Sequence, residues 1–449
     1  MINDERQMTN KRFKIITLGC KVNQCESASL KASLLDLGLK EAGKGEEAHV
    51  TVINTCIVTQ RASYQSRQAI RKAIRENPSG SVAAIGCYGQ VFPEELSPIE
   101  GLNLIAGNRV KERLPLILKE TAGSGQQQLV SEEFAAHEKF QALPVRGFFD
   151  RTRAFLKIQD GCESFCTYCI VPFARGPLRS LDPSKVILML ETLSQGGYKE
   201  VVLTGIHLGQ YGIDLGNGTD LERLLHRIKK EGFPMRCRLS SIEPNEIGEG
   251  LIEMMATEDW LCRHLHIPLQ SGDNEVLKRM NRSYKAQEVS RLVEQIHERM
   301  PLAAIGVDTM AGFPGEDHLA YENTLSMIQD LPVSYLHVFP YSPRKGTAAA
   351  GFPGQVDQKL TKERARRLRK LGRKKRESFY RSCVGEVFSV LTEGWASQDK
   401  AEAKGLSDNY LPVTFPSAGL PKNRLVTVRI EGLGENNVIG AAFEAPDQD

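Results

Sequence analysis

Apolar, β-branched runs recur along the chain, each followed by a stretch with helical spacing. Near the start, three of them end directly on a cysteine: Phe13-Lys-Ile-Ile-Thr-Leu-Gly-Cys20, His49-Val-Thr-Val-Ile-Asn-Thr-Cys56 and Ser81-Val-Ala-Ala-Ile-Gly-Cys87. Residues 23–37 and 60–76, between these runs, carry apolar positions at helical intervals. The order strand, helix, strand, helix, strand predicts a parallel sheet with right-handed crossovers. All three cysteines then leave the sheet at one edge, outside the carboxyl ends of the strands, where open α/β sheets place their ligands.

A second series follows, with strands predicted over residues 154–159, 200–204, 236–240, 264–268, 304–309 and 335–339. Each precedes a helix-like stretch, so the six units predict an incomplete (β/α) barrel. Chemically distinctive residues gather just after these strands: Gln159-Asp-Gly-Cys162, Thr204-Gly-Ile-His207, Ser240-Ser-Ile-Glu243, Gln270-Ser-Gly272 and Tyr341-Ser-Pro-Arg344. That end of a barrel carries the active site. Past a basic helix at 359–381, short alternating strands at 386–391, 410–415, 424–430 and 438–443 predict a small β-barrel. The fold class is therefore α/β, in three parts. Residues 11–120 form an N-terminal parallel sheet domain and 151–382 a partial (β/α)6 barrel, joined by a Gly- and Gln-rich linker at 121–150. Residues 383–445 form an all-β barrel.

Composition removes several classes of protein. The 449 residues are 41% hydrophobic and 25% charged, as in ordinary soluble proteins. No apolar run approaches the ~20 residues that cross a bilayer. The polar start from Met1 to Lys14 lacks the apolar core of a secretory signal. A cytoplasmic protein without membrane contact is expected. There, ten cysteines argue for metal or catalysis rather than disulfides. The net charge of +3 implies no polyanionic partner by itself, and the basic run at 359–381 reads equally as a solvated helix face.

Cys162-Glu-Ser-Phe-Cys166-Thr-Tyr-Cys169 puts three thiols in eight residues. Thiolates are the ligands of iron-sulfur clusters, and three of them leave one iron of a four-iron cluster open to chelate a substrate. Zinc is the competing reading, but a closed zinc site takes four ligands and no nearby cysteine or histidine completes the set. The C-x3-C-x2-C spacing after the first barrel strand, with Tyr168 before the last cysteine, resembles the radical S-adenosylmethionine superfamily. The resemblance implies a [4Fe-4S] cluster on Cys162, Cys166 and Cys169 that binds S-adenosylmethionine and cleaves it to a 5′-deoxyadenosyl radical. Tyr168, Thr204 and Gly205 then fall where the family contacts this cofactor, and Ser240, Glu243 and Gln270 could reach its ribose or carboxylate. Roles in turns or barrel packing fit these residues equally well.

Leu18-Gly-Cys-Lys-Val-Asn-Gln24, Asn54-Thr-Cys-Ile-Val-Thr59, Gly86-Cys-Tyr-Gly-Gln90 and Arg175-Gly176 narrow the resemblance to the methylthiotransferases, over about residues 11–443. It implies a second [4Fe-4S] cluster on Cys20, Cys56 and Cys87, and conversion of an unreactive C–H bond to C–S–CH3. One S-adenosylmethionine supplies the radical and another the methyl group. An electron donor such as flavodoxin or ferredoxin is implied, with a sulfur donor. Cys25 stands where the family often has tyrosine. It is an alternative ligand, a sulfur relay or a neutral substitution. Cys237, Cys262 and Cys383 are isolated, as core or surface thiols.

The Leu18 to Gln24 motif is similar to the branch that modifies threonylcarbamoyladenosine, 3′ of the anticodon in tRNA, at C2. The branches acting on isopentenyladenosine and on a ribosomal protein carry other residues after the first cysteine and are the alternatives within the class. A non-catalytic RNA-binding protein with structural metal is the alternative outside it. The C-terminal barrel resembles the TRAM domain, an RNA-binding module, which gives the basic helix a role at the phosphates of the anticodon loop. Tyr410, in the TRAM-like segment Asn409-Tyr410-Leu411, either stacks on a base or fills a barrel.

Overall fold

A computed structural model describes residues 11–43, 45–121, 126–142, 151–417 and 419–443. Residues 122–125 and 143–150 of the expected linker lie outside the described residues. The first domain is a parallel sheet of β1 (Arg12–Thr17), β2 (Lys40–Glu41), β3 (Val50–Thr55), β4 (Ser81–Gly86), β5 (Leu104–Ala106) and β6 (Gln128–Val130), in the order β2-β1-β3-β4-β5-β6. Every residue of β3 is buried, as expected of a central parallel strand covered on both faces. The three cysteine-terminated strands are thus adjacent. β2, β5 and β6 are too short to show a pattern in sequence. β6 also corrects the linker expectation: its first half extends the sheet, pairing Leu104 with Gln128.

Helices α1 (Lys21–Asp36), α2 (Gln60–Glu76), α3 (Cys87–Val91) and α4 (Leu114–Thr121) complete the domain. The Thr59 hydroxyl caps α2 by accepting from the Ala62 amide at 3.0 Å. α1 buries the polar residues Asn23, Glu26, Ser27 and Ser29. It is covered on two sides, by its own sheet and by the first strand of the next domain.

That strand is β7 (Arg153–Lys157), and with β10 (Glu200–Thr204) and β11 (Arg236–Leu239) it forms one parallel arc. β12 (His264–Gln270), β13 (Ala304–Ala311) and β14 (Tyr335–Pro340) form the other, joined to the first where the Ile242 amide donates to His266 O at 3.1 Å. Between β7 and β10 lie the small hairpin partners β8 (Gln159–Asp160) and β9 (Arg179–Ser180), with α5 (Val171–Arg175) and α6 (Pro183–Gln195). Helices α7 (Leu221–Glu231), α8 (Glu249–Thr257), α9 (Asn274–Arg279), α10 (Ala286–Arg299) and α11 (His318–Asp330) complete an open (β/α)6 barrel. One continuous apolar core joins its strands to these helices.

α12 (Gln358–Ser382) leads to a closed barrel of β15 (Val387–Trp395), β16 (Glu402–Ser407), β17 (Pro412–Pro416), β18 (Leu425–Leu433) and β19 (Val438–Phe443). β16 was not expected from sequence. Its pattern is weak because Lys404 and Gly405 interrupt it. Tyr410 lies in the turn after β16, with φ at 68°, rather than in a strand. The turn enters the amino-terminal mouth of the central barrel. Arg238 donates to the carbonyls of Asp408 and Ser407 at 2.9 Å each, and Arg236 to those of Ser389 and Leu406 at 2.7 Å each. Tyr410 stacks on His264 with centroids 4.1 Å apart, under the Arg238 guanidinium. Half-buried, it packs in the mouth of the central barrel against His264 and Arg238.

Both arginines are held by Glu200, whose oxygens lie 2.6 Å from Arg236 Nε and 2.9 Å from Arg238 Nε. Burial alone would push this carboxyl up, but the Arg238 and Arg236 charges hold it down at about 2. The resulting stabilisation is complete above the ordinary value of 4.5 and is lost as pH falls through about 2. Glu200→Gln is expected to cost ~3–5 kcal/mol at neutral pH and to flatten the acid-unfolding profile across that window. Urea unfolding followed through the fluorescence of Trp260 and Trp395 checks it.

Candidate functional site

Cys56 and Cys87 follow β3 and β4 directly, and Cys20 lies three residues past the end of β1. Two glycines set their approach. Gly19, at φ 94°, has no room for a side chain: a Cβ there would fall 2.9 Å from the Cys56 sulfur. A Cβ at Gly86, at φ 96°, would fall 2.6 Å from Asn54 Oδ1. Asn23 ties two strand ends together, donating to Leu18 O at 2.7 Å and Thr55 O at 3.0 Å. Cys20 is the N-cap of the sixteen-residue α1, where the helix dipole favours negative charge. Asn108 Nδ2 lies 3.4 Å from Cys87 Sγ. Burial raises the Cys20 thiol and pushes Cys56 up to about 12, and Cys87 adds to both effects. Three such sulfur donors would suit a soft cation, which binds thiolates.

Cys162, Cys166 and Cys169 lie on the loop after β7 and β8, in which Phe165 takes φ 43°. His207 Nδ1 lies 3.5 Å from Cys162 Sγ, and its Nε2 lies 2.7 Å from Glu246. Despite burial, the Cys162 hydrogen bond and Glu246 lift this imidazole to about 10, and Cys162 is lowered in return. Arg282 Nη1 lies 3.2 Å from Cys166 Sγ, while its Nη2 donates to Glu243 at 2.6 Å. Burial pushes Cys169 up to about 12. A cluster held by these cysteines would meet the N–H groups of His207 and Arg282 around its donors.

A buried ionic seam separates and joins the two triads. Glu26 on α1 pairs with Lys111, Arg175 and Lys157, and Asp160 pairs with Lys157, Arg175 and Arg179. All six side chains are at most 10% exposed. Arg175 also donates to Asn23 Oδ1 at 2.5 Å and acts electrostatically on Cys20. Asn108 reaches across as well, donating to Ala174 O at 2.6 Å. Glu26 and Asp160 are held well below the carboxylate range: burial opposes this, but Arg175 and Lys111 act on Glu26, and Lys157 and Arg175 on Asp160.

The other expected residues sit at the barrel top without equal definition. Thr204 and Ser240 are buried, and among the described residues the Ser240 hydroxyl has no hydrogen-bond partner. A Cβ on Gly205 would fall 2.7 Å from Gln159 Oε1, the acceptor of the His207 amide. Gln270 is buried at φ 63°. Glu243 is committed to Arg282, and Tyr168 packs edge-on against Phe313. Sequence reasoning missed His207, Glu246, Arg282 and Asn108. His207 stood in a motif already singled out. Arg282, 116 residues from Cys166 in the chain, gave no signal.

Cys25 faces away from the first triad, into the barrel core, where its thiol donates to Phe155 O at 3.3 Å. It is a packing residue, and burial raises its pKa strongly. Cys237, Cys262 and Cys383 are likewise core thiols. Cys25→Ala is expected to leave iron content per chain unchanged after anaerobic reconstitution, at a cost of ~1 kcal/mol for the lost hydrogen bond. Iron assay and thermal unfolding check both parts.

Two family models match the chain, the radical SAM superfamily over residues 156–328 and the uncharacterized protein family UPF0004 over residues 12–107. A Bacillus subtilis protein named threonylcarbamoyladenosine tRNA methylthiotransferase MtaB is 38% identical over 418 residues, covering 92% of each chain. One of the same name from Aquifex aeolicus is 37% identical, covering 88% of this chain and 95% of that one. A tRNA-2-methylthio-N(6)-dimethylallyladenosine synthase from Moorella thermoacetica is 32% identical, covering 94% and 96%. Among solved structures, the radical S-adenosylmethionine methyltransferase TsrM from Kitasatospora setae shares the fold, with TM-score 0.54 and 16% identity over 76% of this chain and 77% of that one. Identity of this order along nearly the whole length of its relatives makes the chain a member of the tRNA methylthiotransferase family of radical S-adenosylmethionine enzymes.

Proposed function

We propose that the enzyme places a methylthio group on C2 of threonylcarbamoyladenosine, 3′ of the anticodon, using two [4Fe-4S] clusters. Cys162, Cys166 and Cys169 hold one and Cys20, Cys56 and Cys87 the other. The observation that carries the two-site reading is the pair of thiol triads at strand ends on either side of one buried ionic seam. The names of the Bacillus and Aquifex relatives support the substrate. When bound, the first cluster supplies the electron that cleaves S-adenosylmethionine and the second presents the sulfur.

The chain's own residues give each centre its surroundings. Arg282 and His207 direct N–H groups at Cys166 and Cys162, and Asn108 directs one at Cys87. Such contacts favour the reduced, more negative state of a cluster. Ser240 offers an unpartnered hydroxyl to S-adenosylmethionine, beside Thr204 and Gly205 on the neighbouring strand end. Tyr168, Glu243 and Gln270 shape the same end.

α12 divides its cations between two tasks. Arg364 pairs with Glu316, Arg367 with Glu322, and Lys375 donates to the carbonyls of Gln329 and Leu331 at the C-terminal end of α11. Lys362, Arg366, Lys370 and Lys374, at four-residue intervals, form an exposed stripe that suits the phosphates of an anticodon loop. An electron donor of the flavodoxin or ferredoxin class and a sulfur source complete the partners.

Cys166→Ala is expected to abolish 5′-deoxyadenosine formation. Cys56→Ala should keep that cleavage and lose sulfur insertion. Chromatography of the reaction products separates the two, and equal loss of both activities by Cys56→Ala would contradict independent clusters. Nucleoside analysis of tRNA from a deletion strain tests the substrate. The methylthio form of threonylcarbamoyladenosine should disappear, and its persistence without a paralogue, or the loss of the isopentenyl form instead, would overturn the assignment.

A further inference from the structure

The upper interior of the central barrel is the radical site and its floor is the Tyr410 plug. Between them lies a layer of ionisable side chains whose lower members, His264 and Tyr335, stack against the plug. His266 Nε2 lies 2.8 Å from Asp308 Oδ1, and His337 Nδ1 lies 3.4 Å from the same oxygen. Below, the Tyr335 hydroxyl is 3.1 Å from His266 Nδ1 and 2.8 Å from His264 Nε2. These residues share the inner face of β12, β13 and β14. On β14 the alternate residues Leu336 and Val338 join the apolar core beneath α12. Tyr335 and His337 point the other way, with the Tyr335 ring over Gly306, where a Cβ would fall 2.1 Å from it.

The layer is open to solvent on one side. The His337 side chain is 56% exposed, and Phe339, next on its face towards the radical site, is 42% exposed. β14 is the free edge of its arc and β7 the free edge of the other, so the barrel opens between them. At 3.3 Å of rise per residue, His337 lies roughly 10 Å below the end of β14. α1 packs against the β7 side of the opening through Cys25. Lys21, one turn earlier on that helix face, has Arg153, Glu200 and Asp308 among its electrostatic neighbours. A carboxylate-backed imidazole thus lines the opening, and the Lys21 charge acts on the same carboxylate.

We propose that His337, positioned by Asp308, receives the polar N6 substituent of the target adenosine and distinguishes it from an apolar one. The proposal rests on the function above and names its specificity residue. Asp308 Oδ1, 3.4 Å from His337 Nδ1, favours the tautomer protonated there and leaves the Nε2 lone pair as an acceptor. Among the described residues Nε2 has no hydrogen-bond partner. A lone pair so placed accepts from an N–H or O–H. The threonylcarbamoyl group offers ureido N–H and hydroxyl donors, with a carboxylate suited to the Lys21 ammonium. A dimethylallyl group offers none of these. A site built to accept a hydrogen bond rejects the analogue that lacks the donor, because bound RNA covers the half-exposed imidazole and leaves its acceptor unpaired.

The test uses the full chain, anaerobically reconstituted, with tRNA bearing either threonylcarbamoyl- or dimethylallyladenosine. His337→Leu removes the acceptor, and His337→Gln keeps one on a side chain of similar reach. Deoxyadenosine formation without RNA and iron content serve as controls for intact clusters. For the threonylcarbamoyl substrate, kcat/KM should fall by about tenfold or more in the Leu variant, the size of one hydrogen bond to a polar or charged group. The Gln variant should recover most of it, with both controls unchanged. Three results overturn the proposal: kcat/KM within about twofold of wild type in the Leu variant, equal loss in both variants, or a stoichiometric non-iron metal that His337→Leu releases. Wild-type enzyme that acts only on the dimethylallyl substrate would instead overturn the proposed function.

Discussion

The arrangement depends first on the buried seam of Glu26, Asp160, Lys111, Lys157, Arg175 and Arg179. Two carboxylates face four cations, so two positive charges are left over. Taking ions out of water costs several kcal/mol each, and an unbalanced set is costlier than a matched one. The surplus has an address: Arg175 acts on Cys20, while Lys111 and Arg175 both act on Cys87. An anionic thiolate centre on the first triad would balance the seam, and the seam would favour that centre in return. The same contacts hold α1 against β7, so charge balance and domain position are one constraint.

The barrel is closed at its other end by a different use of charge. Glu200 gathers Arg236 and Arg238, whose remaining N–H groups reach four backbone carbonyls of the C-terminal barrel. Backbone acceptors add no competing charge, so one carboxylate suffices to bury two guanidiniums. The C-terminal barrel is thereby seated at the floor, with its Tyr410 turn spent on docking. Any RNA it helps to hold meets its outer surface and the exposed stripe of α12.

The sequence showed what depends on local pattern. Strands that end on cysteine, the eight-residue thiol motif and the repeating strand-helix units were all legible, because each is a short-range signal. Contacts between distant segments were not. Arg282 follows α9 in an ordinary basic stretch, and only the fold carries it to Cys166. β5 and β6 are three residues each and exist by pairing with β4 and each other. The basic helix was legible as a helix, but the division between its inward and outward cations depends on where Glu316 and Glu322 fall. Cys25 and Tyr410 were ambiguous for one reason: whether a side chain is a ligand, a stacking surface or packing depends on what stands opposite, here Phe155 and His264.

α1 is the element on which these constraints meet. Its first turn carries Cys20 at the N-cap and Lys21 beside it; one turn on, Asn23 fixes the strand ends and Glu26 anchors the seam. Cys25, between them, packs on β7. A rotation of α1 of the kind that would improve one of these contacts would spoil the others, since residues on a helix move together at 100° per position. The low amphipathicity of its sequence follows from this. Every face of its first two turns has a partner, so no face is left to be simply polar.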